Sequence, residues 1–70
     1  MFMGDANTKD STKNQILDAA LKVFVTSGYA QTTMNDIVEE SGLSKGAIYH
    51  YYGSKKELFL ALIDSWENYF

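Results

Sequence analysis

Apolar residues recur at helical spacing in four stretches of this chain, and each stretch is bounded by residues that start or stop helices. The first stretch places Ile16, Leu17, Ala20, Leu21, Val23 and Phe24 on one face. Ser11 or Thr12 is suited to accept a hydrogen bond from its first free amides. Gly28 follows its last turn, where a left-handed residue closes a helix cheaply. In the second stretch Thr33 begins the helix, and Asp36 three positions on can return a bond to the cap. Met34, Ile37 and Val38 face inward there, Glu39 and Glu40 face water, and Gly42 ends the helix. Leu43 plugs the corner, Ser44 caps a third helix, and Ala47 and Ile48 are its inward residues. Gly53 breaks the chain again, after which Ser54 and Glu57 form a capping box for a fourth helix.

These elements predict an all-α fold. A three-helix, homeodomain-like helix-turn-helix unit spans 11–57, a flexible arm covers 1–10, and the fourth helix runs over 58–70. Lys9 in the arm is a candidate phosphate contact, set against the plainer reading of a disordered terminus. On the fourth helix Leu58, Leu62, Trp66 and Tyr69 line one face, and Phe59, Ile63 and Phe70 an adjacent one. That is more apolar surface than so small a domain needs to cover, and no cap follows Phe70. The pattern is that of a fragment cut within, or just after, the fourth helix.

Composition narrows the function. Seventy residues hold one small core, and an apolar fraction of 46% is too high for a disordered chain. Without cysteine there are no disulfides and no thiolate metal sites, and without proline nothing forbids long helices. The apolar runs are too short to span a bilayer, and MFMGDANTKD lacks the layout of a secretory signal. A cytoplasmic protein with no membrane partner is expected. The balance of nine acids against six lysines, with no arginine, gives −3 and runs against the usual footprint of a nucleic-acid binder. The distribution softens this: three lysines, one histidine and no acid lie between Ser44 and Lys56. Local charge governs contact within about one Debye length, about 8–10 Å.

Residues 32–58 carry the candidate chemistry. A helix presenting Lys45, Tyr49, His50 and Tyr51 at its surface is donor-rich beyond what folding requires. Thr33 and Ser44 place helix amino ends where phosphates could sit. Gly46 costs up to ~1 kcal/mol against alanine in a helix interior, which makes sense where a backbone or base edge must come close. Tyr49, His50 and Tyr51 are consecutive rings that one helix cannot bury together. Lys55 and Lys56 oppose the dipole of the fourth helix, an arrangement that an external anion would relieve. Each feature also has an ordinary explanation. Gly46 can simply be tolerated near a helix start, Tyr52 and part of Tyr51 can belong to the core, and His50 and the lysine pair can be solvated. The combination within a few turns favours DNA.

The run TTMNDIVEESGLSKGAIYHYYGSKKELFLAL resembles the N-terminal DNA-binding domain of the tetracycline-repressor (TetR) family of bacterial transcriptional regulators. ILDAALKVFVTSGYAQTT before it is similar to that family's first helix, and the resemblance covers residues 12 to about 66. It implies a sequence-specific regulator, a ligand-responsive repressor, that binds a pseudo-palindromic double-stranded DNA operator as a homodimer. It also implies a C-terminal domain, absent from this chain, that dimerises and binds a small-molecule inducer; no cofactor is implied. By position, Thr33 would bind phosphate, and Ser44, Lys45 and Gly46 would meet the groove, with Lys45 nearest a guanine edge. Tyr49 and Tyr51 would donate to phosphates, His50 would lie between backbone and base, and Lys55 would bind phosphate across the groove. Ala47 offers only a methyl, so readout of DNA shape has a part.

Two other classes remain in view. Tyr51 and Lys55 match the Tyr-x-x-x-Lys spacing of short-chain dehydrogenases, but that chemistry needs a nucleotide-binding sheet and a glycine-rich loop. One histidine and no cysteine speak against a metal site or a Cys/His nucleophile, so no enzyme is expected. A small helical protein-interaction module docking through the fourth helix fits the surplus apolar face. Salt separates it from a DNA binder, because only DNA binding weakens steeply as salt rises.

Overall fold

The computed structural model describes residues 8–69, with side chains described over 11–65. Four helices follow one another, α1 (Thr8–Ser27), α2 (Met34–Ser41), α3 (Lys45–Tyr51) and α4 (Lys55–Tyr69), with no strand among the described residues. The all-α expectation holds. α1 begins at Thr8 rather than at a cap on Ser11 or Thr12. Residues 8–10 contain neither glycine nor proline, so the helix extends through them. The arm expected over 1–10 therefore overlaps α1 at 8–10, and its remainder lies outside the described residues.

Each helix supplies the core along the face its periodicity marks. Ile16 and Ala20 of α1, Ile37 of α2, Ile48 of α3 and Leu58 of α4 are fully buried, with Ala19 and Leu62 nearly so. Leu17, Leu21, Val23, Phe24, Met34, Val38 and Leu43 pack around them. Burying each isoleucine or leucine stabilises the fold by roughly 1.5–3 kcal/mol, so these few side chains dominate its stability. Ala19 and Ala20 carry only methyl groups, which leaves room for other helices against α1; both α2 and α4 pack on it. Trp66, Tyr69 and Phe70, also expected on the apolar faces of α4, lie outside the described side chains.

The connections are held by short polar contacts. Gly28 adopts φ 86° and donates its N–H to the Phe24 carbonyl at 2.8 Å, closing α1. Thr32, nearly fully buried, donates its hydroxyl to the Gly28 carbonyl at 2.7 Å, and its amide reaches the same oxygen at 3.1 Å. Thr33 and Asp36 form the reciprocal capping box of α2: the Thr33 oxygen accepts from the Asp36 amide and the Asp36 carboxylate from the Thr33 amide. Gly42, at φ 74°, ends α2 in the left-handed conformation, and the Ser44 hydroxyl oxygen caps α3 by accepting from Ala47. At α4 the box departs from expectation by one residue. The Glu57 amide donates to the Ser54 hydroxyl oxygen as expected, but the Glu57 carboxylate accepts from the amide of Gly53 rather than that of Ser54. The longer reach of glutamate lets it satisfy the donor one residue further out.

Candidate nucleic-acid interface

α2, the turn at Gly42 and Leu43, and α3 form a helix-turn-helix whose second helix is held from one side only. Ile48 is its fully buried anchor, Ala47 and Tyr51 are half-buried, and Lys45, Tyr49 and His50 are exposed. Lys45 and Tyr49, four residues apart, share one exposed stripe, and Gly46 and His50 share the next. Ser44, Lys45, Gly46, Tyr49 and His50 are all exposed, as is Thr33 at the start of α2. The first turn of α3 holds no acid, and His50 is the basic residue of its last turn.

The cap geometry leaves donors available. The Thr33 and Ser44 oxygens each accept from a backbone amide of their own helix, at 3.1 Å in both cases, so both hydroxyl protons remain to be donated elsewhere. At α2 the Asp36 carboxylate lies within 3.0 Å of the Thr33 amide, which puts a negative charge beside that end of the surface. The amino end of α2 is consequently a weaker anion site than its dipole alone suggests. Around Gly46 the space is open: a Cβ there would meet only the Ser44 hydroxyl oxygen, at 4.0 Å. Nothing inside the fold requires glycine at that position.

Two expected contacts are more enclosed. Tyr51 is half-buried against the core, with its ring edge-on to His50 at 5.1 Å between centroids. Tyr52 also packs on the core, and burial pushes its phenol above the ordinary tyrosine value. Lys55 is half-buried as well. Its ammonium donates to the Tyr29 carbonyl at 2.7 Å and lies 4.4 Å from the centre of the Tyr29 ring. Of the two lysines at the start of α4, Lys55 thus has a partner within the free chain. Only Lys56 stays exposed. Tyr51 and Lys55, which share the Tyr-x-x-x-Lys spacing, stand on different helices, and the Lys55 ammonium lies on Tyr29.

The surface between α1 and α2 suits an anion poorly. An open groove of about 530 Å3 between α1 and α2 is lined by Asp36, Glu39 and Glu40 with Lys22, whose ammonium pairs with Glu40 at 3.6 Å. Three carboxylates against one paired lysine repel phosphate. No helix among the described residues is long and apolar enough to cross a membrane.

Residues 16–62 match the family described as bacterial regulatory proteins, tetR family. The chain is 46% identical over 57 residues to the HTH-type transcriptional regulator YfiR of Bacillus subtilis, a match covering 81% of this chain and 28% of that protein. It is 46% identical over 54 residues to the HTH-type transcriptional regulator TtgR of Pseudomonas putida, covering 77% and 26% respectively. With the HTH-type transcriptional repressor AcnR of Corynebacterium glutamicum it shares 41% identity over 59 residues, or 84% of this chain and 30% of the repressor. The chain therefore spans less than a third of the length of these curated relatives.

Proposed function

Because the chain belongs to the tetR family of bacterial regulatory proteins, we propose that it binds double-stranded DNA in transcriptional regulation, with α3 in the major groove and α2 across the backbone. The observation that carries this reading is the one-sided anchoring of α3. Ile48 locks the helix to the core while Lys45, Gly46, Tyr49 and His50 stand exposed on adjacent stripes. A helix of this kind fits the major groove, and its short side chains near Gly46 allow close approach to base edges.

The roles follow from donor chemistry. Lys45 reaches base edges, a guanine above all, and Ser44 and Gly46 let the helix end close on the groove. Thr33, Tyr49 and Tyr51 donate hydroxyls to phosphates, and His50 sits between backbone and bases. Phosphate contacts set orientation and register, whereas base contacts specify sequence. Few base-reading groups are available, and Ala47 adds only a methyl, so DNA shape contributes to recognition. In the whole protein two such units, related by a two-fold axis, bind a pseudo-palindromic operator. Repression as the outcome is supported by the repressor among the relatives, and a small-molecule inducer acting through a further domain completes this reading.

A second reading draws on the exposed apolar residues Val25, Phe59 and Leu60, which suit a protein-docking face. Fluorescence anisotropy with a labelled duplex, titrated at several salt concentrations, separates the two. DNA binding requires affinity that falls steeply and log-linearly with salt. No affinity for duplex at low salt would rule the DNA reading out.

A further inference from the structure

We infer that Ser41 is a positioning residue for α3: its hydroxyl holds the turn after α2 in the conformation that aims the exposed face of α3, and so contributes to discrimination between DNA sequences. The inference rests on the DNA-binding reading above and deepens it. Ser41 lies one turn beyond Ile37 on the inward face of α2 and is 7% exposed. A hydroxyl there buries a polar group where a methyl would pack without that cost. Its use is visible in its bonds. The oxygen accepts from the Leu43 amide at 3.0 Å, and the hydroxyl donates to the Val38 carbonyl at 2.8 Å, so both its donor and its acceptor sides are engaged.

The two bonds straddle Gly42. That residue adopts φ 74° and has no side chain to restrict it, so it is the joint at which the angle between α2 and α3 can vary. The Ser41 oxygen reaches past it to Leu43, tying the far side of the joint to the last turn of α2. α3 itself is short, and Ile48 is its only fully buried side chain. Lys45 and Gly46 open it directly beyond the Ser44 cap. One such anchor leaves rotation about it open, and long lysine or tyrosine side chains tolerate that rotation at a phosphate. Base edges do not, because their donors and acceptors have fixed places. Ser41 therefore acts on the part of binding that specifies sequence.

The test compares wild type with Ser41→Ala and with Leu62→Val, which trims the core on α4. Affinity is read for a duplex that the wild-type chain selects from a random pool, and for the same bases in scrambled order, each across a salt series. Leu43 amide exchange is measured in the free chain. Ser41→Ala is expected to quicken Leu43 exchange and to cut the preference for the selected duplex several-fold. Affinity for the scrambled duplex and the salt slopes should stay as in wild type, because the phosphate contacts are kept. Leu62→Val should leave the preference intact, which separates positioning from stability. Faster Leu43 exchange with an unchanged preference would overturn the inference, as would a loss shared equally by both duplexes or an equal drop in preference in Leu62→Val. If Ser41→Ala loses helix content, Ser41→Cys decides, since its thiol fills the site but bonds weakly: a reduced preference supports the inference and an intact one overturns it. A wild-type chain that selects no duplex would sink the DNA reading, while Leu43 exchange would still report on the turn by itself.

Discussion

The side-chain amide of Gln15 donates to the backbone carbonyl of Ser41 at 2.8 Å, joining residues 26 positions apart. Ser41 ends α2, where the last carbonyls have no partner within the helix. The bond satisfies one of them and pins α2 to α1 immediately before the turn into α3. Gln15→Ala is expected to lower unfolding free energy by about 0.5–1.5 kcal/mol, the usual net worth of such a bond. Urea denaturation followed by circular dichroism checks this, and an unchanged midpoint would show that water replaces the contact at no cost.

The two glycines of the helix-turn-helix should respond in opposite ways. Gly42 sits at φ 74°, a conformation that costs an L-residue roughly 1–2 kcal/mol, so Gly42→Ala should destabilise by about that much. Gly46 has an ordinary helical backbone with open space where a Cβ would go. Gly46→Ala should therefore leave stability equal or raise it, by up to ~1 kcal/mol, yet weaken duplex binding. A variant that is stabler and still binds fully would show that no close approach occurs at that position.

Lys45 and Tyr49 divide specificity from general affinity. Lys45→Ala should reduce discrimination at one base pair by about 1–3 kcal/mol, measured by competition among single-base operator variants. Tyr49→Phe should weaken binding to every duplex alike. Unchanged preference in the first, or sequence-dependent loss in the second, would reverse the assignments.

Tyr52 yields a pH dependence. Burial raises its phenol above the usual value, so the folded state holds that proton more tightly than the unfolded chain does. The resulting stabilisation is complete below the unfolded value of about 10 and is lost as pH rises through the folded one. Tyr52→Phe removes this component. Alkaline unfolding curves of wild type and variant should diverge above that pH, with the variant losing less stability.

Much of this fold was legible because its signals are local. The caps at Thr33 and Ser44 and the left-handed glycines at 28 and 42 sit in short segments whose chemistry is self-contained. The inward faces marked by Ile16, Ile37, Ile48 and Leu58 follow from periodicity alone. The rest depends on how the turns close and on contacts between distant parts of the chain. Only the folded turn shows the Thr32 hydroxyl serving the Gly28 carbonyl. The role of Gln15 is visible only once α2 is laid beside it. The contact of Lys55 with Tyr29 joins residues 26 positions apart, and no local pattern in the sequence shows it. At the candidate interface the exposed residues of α3 were found by the same periodicity that found its core. The enclosure of Tyr51 was foreshadowed only by three consecutive rings competing for one surface.

The central claim is that the face formed by α2 and α3 meets DNA. The most direct measurement is a titration of the isotope-labelled chain with a short duplex, followed amide by amide by NMR at low and at raised salt. Shifts concentrated at Thr33 and across 44–50, fading together as salt increases, are what this account predicts. Shifts gathered instead around Val25, Phe59 and Leu60, or a response indifferent to salt, would contradict it.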